Sequence, residues 1–272
     1  MSVKRAITAL QKYYPIRYAE NSWDNTGLLI DSLNTTSSKI SILLTIDLTK
    51  SVVQEALDKK ISLIIAYHPF IFKGIKKIEP YSNPQHDSLV KLIQNGISVY
   101  SPHTAIDAAN GGVNDWLIDG VTQGLIKEKS IIIPNDEDPT TIGMGRFVKL
   151  SQELTLSQLI NNTKSLLNLK YIQLSSLGSK PEDKKISTIA VCAGSGSGVF
   201  SKLKTSADLY ITGELSHHEL LALKESGSNV LIVNHSNSER GYLQIVKENL
   251  EKELQEFDII ISETDIDPLQ VV

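Results

Sequence analysis

The chain has little cysteine and no excess of one charge. Its 272 residues include a single cysteine, Cys192, which excludes an internal disulfide and a zinc or iron–sulfur site built from several thiolates of one chain. This composition fits a reducing compartment. Lys and Arg number 27 against 31 Asp and Glu, a formal net charge of −4. That balance argues against a general nucleic-acid-binding protein, because such domains are commonly strongly basic.

Long apolar segments are also missing. The longest apolar run lies within Ile61–Phe72, where polar residues and a proline interrupt it, so it falls short of the roughly 20 residues that span a bilayer. The N-terminal segment lacks the apolar core of a secretory signal, although Lys4 and Arg5 leave a mitochondrial address open. We expect no membrane segment and a cytoplasmic location, with a mitochondrial or nuclear pool as alternatives.

Short apolar strands alternate with amphipathic helices along most of the chain. For example, Ile40–Ile46 has the pattern of a buried strand, and Lys50–Lys59 that of a helix with Thr49 as its N-cap. This alternation predicts an α/β fold of layered sheets and helices with substantial parallel sheet. The predicted division is a first domain at residues 1–126, against which the C-terminal segment is a candidate to pack, a proline-containing connector at 127–143, and a second domain at 144–272.

Histidines and carboxylates cluster where predicted strands end. Ligands of open α/β sheets collect beyond the carboxyl ends of the strands. Five of the six histidines lie at or just beyond such ends. The polar residues concerned are Tyr67, His68, His103, Asp107, Glu214, His217, His218, His235 and Glu239.

Imidazole and carboxylate donors without thiolate favour a divalent ion such as Zn, Mn, Fe(II), Co or Ni. His235 and Glu239 are four residues apart, so they share one face if a helix begins near His235. His217 and His218, by contrast, would point about 100° apart on a helix. Other interpretations stay open at this point, because single histidines often form hydrogen-bonded turns and Asp107 could cap a turn.

A glycine-rich loop follows the predicted strand Ile186–Cys192. Its residues Gly194, Ser195, Gly196, Ser197 and Gly198 offer backbone amides that could bind an anion. The loop matches neither the P-loop nor the dinucleotide-binding pattern, so a tight turn is the alternative. No G-x-S-x-G elbow is present, which disfavours a serine hydrolase of the α/β type. Cys192 lies in an apolar strand and is predicted to be buried rather than nucleophilic.

Further motifs are spread over nearly the whole chain. They are Ser22–Leu29, Tyr67–Phe72, Ser101–Asp107, Val191–Gly198, Asp208–His218, His235–Arg240 and Ser262–Leu269. In this order the segments together resemble the NGG-one-interacting-factor-three-like family, also known as GTP cyclohydrolase I type 2 homologues. Tyr67 resembles the eukaryotic members of that family.

The resemblance implies two linked α/β domains, a toroidal homohexamer and a dinuclear metal site in the inter-domain cleft. The implied metal ligands are His68, Asp107, His235 and Glu239. Tyr67 stands where bacterial members commonly have a histidine, and a neutral phenol with a pKa of about 10 is a poor ligand at neutral pH. We therefore expect Tyr67 to be at most a weak ligand or substitute, with one firmly held ion and a second that exchanges.

The leading functional hypothesis is a metal-dependent hydrolase acting on a small phosphorylated or heterocyclic substrate. Asp107 or Glu239 would bridge the ions, and His103 or Glu214 would orient ligands or carry protons. The alternative, implied by the family name, is a non-catalytic metal-binding regulatory protein that binds a transcriptional coactivator. The net charge opposes a third idea, in which nucleic acid threads through a ring.

Overall fold

The computed structural model describes residues 2–32, 40–136, 138–178 and 180–272; Glu137, in the predicted connector, lies outside them. The chain forms two compact units. The first consists of Met1–Ile106 and Tyr242–Ile266, and the second of Asp107–Gly241 and Asp267–Val272. No described helix combines the length and apolar character needed to cross a bilayer.

Strands and helices alternate over most of the described chain. The strands are β1 Gly27–Ile30, β2 Ser41–Thr45, β3 Leu63–Ala66, β4 Ser98–Ser101, β5 Ile126–Pro134, β6 Gly143–Thr155, β7 Gln173–Ser175, β8 Lys185–Ser195, β9 Leu209–Glu214, β10 Asn229–Ile232 and β11 Asp258–Ile261. The helices are α1 Val3–Tyr13, α2 Lys50–Asp58, α3 Pro84–Gln94, α4 Thr104–Ala108, α5 Val113–Thr122, α6 Leu156–Leu167, α7 Ser197–Phe200, α8 His217–Glu225, α9 Asn237–Arg240 and α10 Leu243–Glu253, with a short 3₁₀ turn at Ile16–Tyr18.

The first unit contains a five-stranded sheet in the order β1-β4-β3-β2-β11. Strands β4, β3, β2 and β11 run parallel, and β1 is antiparallel to β4. Ile42, Leu43 and Leu44 are fully buried, as expected for a parallel strand covered on both faces. The carboxyl ends of β2, β3 and β4 share one edge, and Gly27 at the start of β1 pairs with Ser101 at the same edge.

Local signals position the helices of this unit as the sequence predicts. The Thr49 side chain accepts a hydrogen bond from the amide of Val52 and begins α2. Asn83 caps α3 in the same way, and Pro84 occupies the first turn, where its missing N–H costs nothing. The predicted Thr49 N-cap is therefore confirmed.

The second unit contains a six-stranded sheet in the order β5-β6-β8-β9-β10-β7. Strands β8, β9 and β10 are parallel, and the outer pairings are antiparallel. Apolar residues of α5, including Leu117 and Val121, pack with Val148 of β6 and Leu209 of β9. Because β8, β9 and β10 are parallel, their carboxyl ends share one edge of the sheet. Glu214 and His235 lie at this edge.

The mixed α/β fold with two sheets is confirmed, whereas the division of the chain differs from the predicted one. The predicted connector 127–143 contains most of strand β5, which pairs with β6 from Ile126 to Pro134. The boundary falls after Ile106, since α5 packs on the second sheet. Residues 242–266 belong to the first unit, where β11 pairs with β2, so this C-terminal segment does pack with the first domain, as considered from the sequence. A metal site in a cleft between the domains stays a prediction.

The predicted long helix at Ser238–Glu256 is also wrong in detail, because it is divided into α9 and α10. Gly241 lies between the two helices. A Cβ atom at Gly241 would come within 2.7 Å of the Trp116 ring. Close packing against an indole therefore accounts for the glycine at this break.

Candidate metal-binding site

Three histidines share one arrangement: the Nδ1 atom of each ring is hydrogen-bonded to a carboxylate. Such a bond keeps the ring proton on Nδ1 and leaves the Nε2 lone pair for a metal or a proton. Metal-ligating histidines are usually oriented in this way. The pairs are His68 Nδ1 with Asp47 Oδ1 at 2.9 Å, His103 Nδ1 with Asp24 Oδ1 at 2.7 Å, and His235 Nδ1 with Glu214 Oε1 at 3.0 Å.

In the first unit, the topology of the sheet brings these groups together. Asp47, His68 and His103 each follow the last residue of β2, β3 and β4 by two positions. Because those strands are parallel neighbours, the three side chains lie at one edge. The ring centroids of His68 and His103 are 5.5 Å apart. The expectation that predicted strand ends bring polar side chains together therefore holds within this unit.

Asp24 reaches the same edge from the segment before β1. Burial alone would raise its pKa, but hydrogen bonds from His103 and Thr104 hold the pKa of this carboxyl below its usual value. The ionised carboxylate keeps His103 oriented. His103 also has a φ of 36°, a left-handed conformation that costs energy for a non-glycine residue and is common at functional sites.

Tyr67 packs beside both histidines of this edge. Its side chain is almost fully buried, and its ring meets those of His68 and His103 edge-on, with centroids 5.4 and 6.3 Å away. Its carbonyl accepts hydrogen bonds from the His103 amide and the Ser101 hydroxyl. These contacts of Tyr67 fix the turns that carry His68 and His103. That Tyr67 is a weak metal ligand stays a prediction.

In the second unit, His235 faces two carboxylates through its two ring nitrogens. Nδ1 meets Glu214, and Nε2 lies 3.5 Å from Oε1 of Glu239. Two ligand atoms bonded at about 2.1 Å to one tetrahedral ion would be roughly 3.4 Å apart. The Glu239 side chain is only 3% exposed, and a buried carboxylate is stabilised by a cation. His235 and Glu239 are members of a His/Glu group that could hold a metal ion.

Gly194 allows the close approach of the His235 and Glu239 side chains. Its φ is +66°, and a Cβ atom would come within 2.8 Å of Glu239 Oε1 and 3.0 Å of His235 Nε2. Gly213 is similarly confined, because its Cβ would lie 2.7 Å from the His235 Cα. Both glycines are therefore required by the space beside His235.

The glycine-rich loop uses part of its hydrogen-bonding capacity internally. The Gly194 amide donates to Ser238 Oγ at 2.8 Å, and the Gly196 amide donates to the carbonyl of Glu214. The Ser197 hydroxyl donates to Glu219. Anion binding by the rest of the loop stays a prediction.

Asp107 lies in α4 and is largely buried. Asn114 fixes its backbone, since Asn114 Nδ2 donates to the Asp107 carbonyl at 3.0 Å and Oδ1 accepts from the Ala193 amide at 2.9 Å. Burial, followed by the charges of Asp107 and Glu239, raises the pKa of the Cys192 thiol. The thiol is thus protonated and buried, as predicted, and the negative charges of both carboxylates disfavour its thiolate form.

A buried ion pair between Arg146 and Asp115 holds the backbone of Ala109, the residue that follows α4. Arg146 donates from Nε and Nη2 to the two carboxylate oxygens of Asp115, at 3.0 and 2.8 Å. Its Nη2 also donates to the carbonyl of Ala109 at 3.1 Å. Burial tends to raise the pKa of Asp115, yet Arg146 and Lys129 hold it below its usual value.

Two of the histidines predicted at strand ends lie apart from His235 and Glu239 within the second unit. His217 and His218 begin α8, where both are exposed. Sequence reasoning missed Asp47 and Asp24. Asp47 could have been found, because it follows a recognisable strand, as His68 does. Asp24 could not, because it precedes an antiparallel strand and only residues at the carboxyl ends of parallel strands are expected at this edge.

Comparisons with known proteins identify the family of the chain. The family model described as Duf34/NIF3 (NGG1p interacting factor 3) matches residues 1–268. The chain belongs to the Duf34/NIF3 family. NGG1-interacting factor 3 of Saccharomyces cerevisiae is 47% identical over 98% of this chain and 96% of that protein. The NIF3 homolog of Schizosaccharomyces pombe is 44% identical over 92% of this chain and 91% of that protein.

A solved structure shares the NIF3 fold. The crystal structure of a Bacillus cereus protein related to NIF3 superposes with a TM-score of 0.84, covering 99% of this chain and 98% of that one at 21% identity. At this identity the likeness concerns the fold alone. The family resemblance inferred from the motifs is confirmed.

Proposed function

We propose that this NIF3 protein is a divalent-metal-dependent hydrolase whose ligands are His68, Asp107, His235 and Glu239. The observation that carries the proposal is the setting of His235, which has Glu214 at Nδ1 and Glu239 at Nε2. Carboxylate-oriented imidazole next to a buried carboxylate is the typical environment of a metal ligand.

The donor set fits such an ion. Neutral imidazole and carboxylate groups suit Zn, Mn, Fe(II), Co or Ni, and the buried Cys192 offers no thiolate. We expect one firmly held ion and a second, exchangeable one, because Tyr67 stands where a further histidine would otherwise bind. Two ions per chain that both survive dialysis against a chelator would contradict this expectation.

The residues around the ligands have separate tasks in the proposed reaction. A bound divalent ion supplies hydroxide near neutral pH and polarises the attacked group. Glu214 holds the proton on Nδ1 of His235, which keeps Nε2 available. His103, with its Nδ1 proton held by ionised Asp24, is the proposed proton acceptor through Nε2.

Exposed aromatic rings next to His103 support a heterocyclic substrate. Trp23 is 54% exposed and Phe72 is 45% exposed, and their ring centroids are 6.2 Å apart. Trp23 also meets the His103 ring edge-on at 5.9 Å. A planar ring could stack on this pair, which would place it beside the proposed proton acceptor.

The experiment that tests the proposal is hydrolysis of GTP and a panel of phosphoesters by metal-loaded protein. Glu239→Gln keeps the shape of the side chain but removes its charge, and we expect it to abolish turnover. Glu225→Gln, an exposed glutamate at the end of α8, is the matched control. Equal turnover by wild type and by Asp107→Ala or Glu239→Gln would remove the metal ligands from the mechanism.

The second candidate function is regulation through a protein partner. It is supported by the name of the Saccharomyces cerevisiae relative, an NGG1-interacting factor, which suggests a partner in the transcriptional coactivator context. In that case the bound ion would stabilise the fold, or its occupancy would make partner binding depend on the availability of the metal. Folded, metal-loaded protein without turnover on the panel, yet with direct binding to a purified coactivator subunit, would favour this function. Homohexameric assembly also stays a proposal, tested by light scattering on the purified protein.

A further inference from the structure

We propose that Asp265 and Asp267 are positioning residues for the histidine-bearing turns, with Asp265 acting on His68 and Asp267 on His235. The two aspartates are separated by one residue near the C-terminal end of the sequence. Each acts within its own unit, Asp265 in the first and Asp267 in the second. The effect on metal binding rests on the proposed function, whereas the effect on the histidine rings does not.

Asp265 holds the turn that follows β2. Its Oδ2 atom accepts hydrogen bonds from the amide of Ile46 at 2.7 Å and the amide of Asp47 at 3.4 Å. Asp265 is only 6% exposed, so this contact is shielded from water. Asp47 is the residue whose carboxylate accepts from His68 Nδ1. Asp265 therefore fixes the backbone of the residue that orients His68.

Asp267 holds the turn that carries His235. Its Oδ1 accepts from Asn234 Nδ2 at 3.2 Å, and its Oδ2 accepts from the Ser236 hydroxyl at 2.8 Å. These partners are the residues on either side of His235. Asn234 has a φ of 71°, a left-handed conformation that needs support from its surroundings in a non-glycine residue. One carboxylate thus fixes both flanks of the ligand.

A simpler role for Asp267 is to anchor the tail of the chain. Leu269 donates its amide to Asp267 Oδ1 at 2.9 Å, and the tail residues Leu269, Gln270 and Val271 line a cavity of 840 Å³ together with Val233 and Asn234. Loss of an anchor alone would loosen the tail without changing the ring of His235. The test must therefore observe the histidine directly.

The deciding experiment is nitrogen NMR of the histidine rings in metal-free protein carrying ¹⁵N-labelled histidine. We expect Asp267→Ala to convert His235 from a single Nδ1–H tautomer to a mixture while His68 keeps its spectrum. Asp265→Ala should do the reverse. Asp267→Asn, which keeps one acceptor oxygen, should restore most of the wild-type His235 signal. Ser236→Ala should change the ring nitrogen signals of His235 while the hydrogen bond between Asp267 and the Leu269 amide remains.

Glu263→Ala is the matched control, since this carboxylate lies in the same segment but its side chain is 81% exposed. Both histidines should keep wild-type spectra in that variant. Wild-type His235 signals in folded Asp267→Ala and Ser236→Ala would overturn the proposal for Asp267. Wild-type His68 signals in folded Asp265→Ala would overturn it for Asp265.

A zinc titration separates this inference from the proposed function. Removal of groups that orient metal ligands typically lowers metal affinity by roughly 10- to 100-fold, and we expect Asp265→Ala and Asp267→Ala each to do so. Unchanged zinc affinity in both would overturn their role in metal binding. Failure of the wild-type protein to bind zinc would instead count against the proposed function, and the metal-free ring spectra would still decide the positioning role.

Discussion

His235 Nε2 and Glu239 Oε1 lie 3.5 Å apart, with the opposite ring nitrogen of His235 held by Glu214. The backbone of Gly194 fits against both of these atoms, which are proposed metal ligands. Proton position, ring orientation and ligand separation are thus all fixed by neighbours within one unit. Such preorganisation is what a metal site requires, because ligands that must reorganise on binding lower the affinity.

Gly194 is the most sensitive position in this arrangement. We expect Gly194→Ala to weaken zinc binding by at least about 10-fold, because the added methyl group would contact both ligand side chains. It should also destabilise the fold by at least about 1 kcal/mol, since alanine is strained at a positive φ. Isothermal titration and urea unfolding measure the two effects. Gly198→Ala, where an added Cβ meets nothing within 4 Å, should behave like wild type; equal losses in both variants would contradict the account.

Glu214 should control the tautomer of His235. Glu214→Ala removes the acceptor at Nδ1, so the ring can place its proton on either nitrogen, and we expect zinc affinity to fall by roughly 10- to 100-fold. Ring nitrogen spectra and zinc titration of the same sample check this. The exposed Glu225→Ala is the comparison variant. A Glu214→Ala protein with wild-type affinity and a single Nδ1–H tautomer would show that the carboxylate does not orient the ring.

The Asp115–Arg146 pair should dominate the stability of the second unit. Breaking a buried ion pair leaves an uncompensated charge and typically costs about 3–5 kcal/mol, which we expect for Asp115→Ala in urea unfolding. Asp119→Ala removes a carboxylate that is 51% exposed and pairs with Lys129, and it should cost at most about 1 kcal/mol. Similar small losses in the two variants would contradict this role.

Glu55 should make the stability of the first unit depend on acid pH. Burial acts to raise its pKa, but hydrogen bonds from Ser262, Lys59 and the 263–264 segment lower it from 4.5 to about 2. Because the folded pKa is the lower one, the stabilisation is present above the unfolded pKa and is lost as pH falls towards 2. The difference corresponds to about 3 kcal/mol.

Urea unfolding between pH 6 and pH 2 measures this dependence. The fall in the free energy of unfolding should be smaller in Glu55→Gln, which cannot ionise. The same pH dependence in wild type and variant would show that Glu55 does not contribute to it.

The sequence predicted the strand ends that carry polar side chains better than the boundaries of the domains, for physical reasons. His68, His103 and His235 follow strands whose apolar runs are easy to recognise, and Glu214 ends such a strand. Parallel strands bring these positions to one edge of each sheet. The residues of β5 were assigned to a connector because those from Lys127 to Ser130 are exposed and polar, as is usual for an edge strand.

Long-range partners were beyond the reach of sequence patterns. Asp24 meets His103 across 79 positions of the chain, and Asp265 meets Ile46 across 219. No local periodicity links such pairs, because they depend on strand order and on the pairing of β11 with β2. The family resemblance covered these segments but assigned them no role.

Anomalous diffraction at the zinc edge, from crystals of the zinc-loaded protein, decides whether His235 and Glu239 bind a metal ion. We predict an ion bonded to Nε2 of His235 and to a carboxylate oxygen of Glu239, with His68 Nε2 as a further ligand, and loss of its anomalous peak in Glu239→Gln. A zinc peak elsewhere in the chain, with His235 and Glu239 making no bond to an ion, would contradict the account.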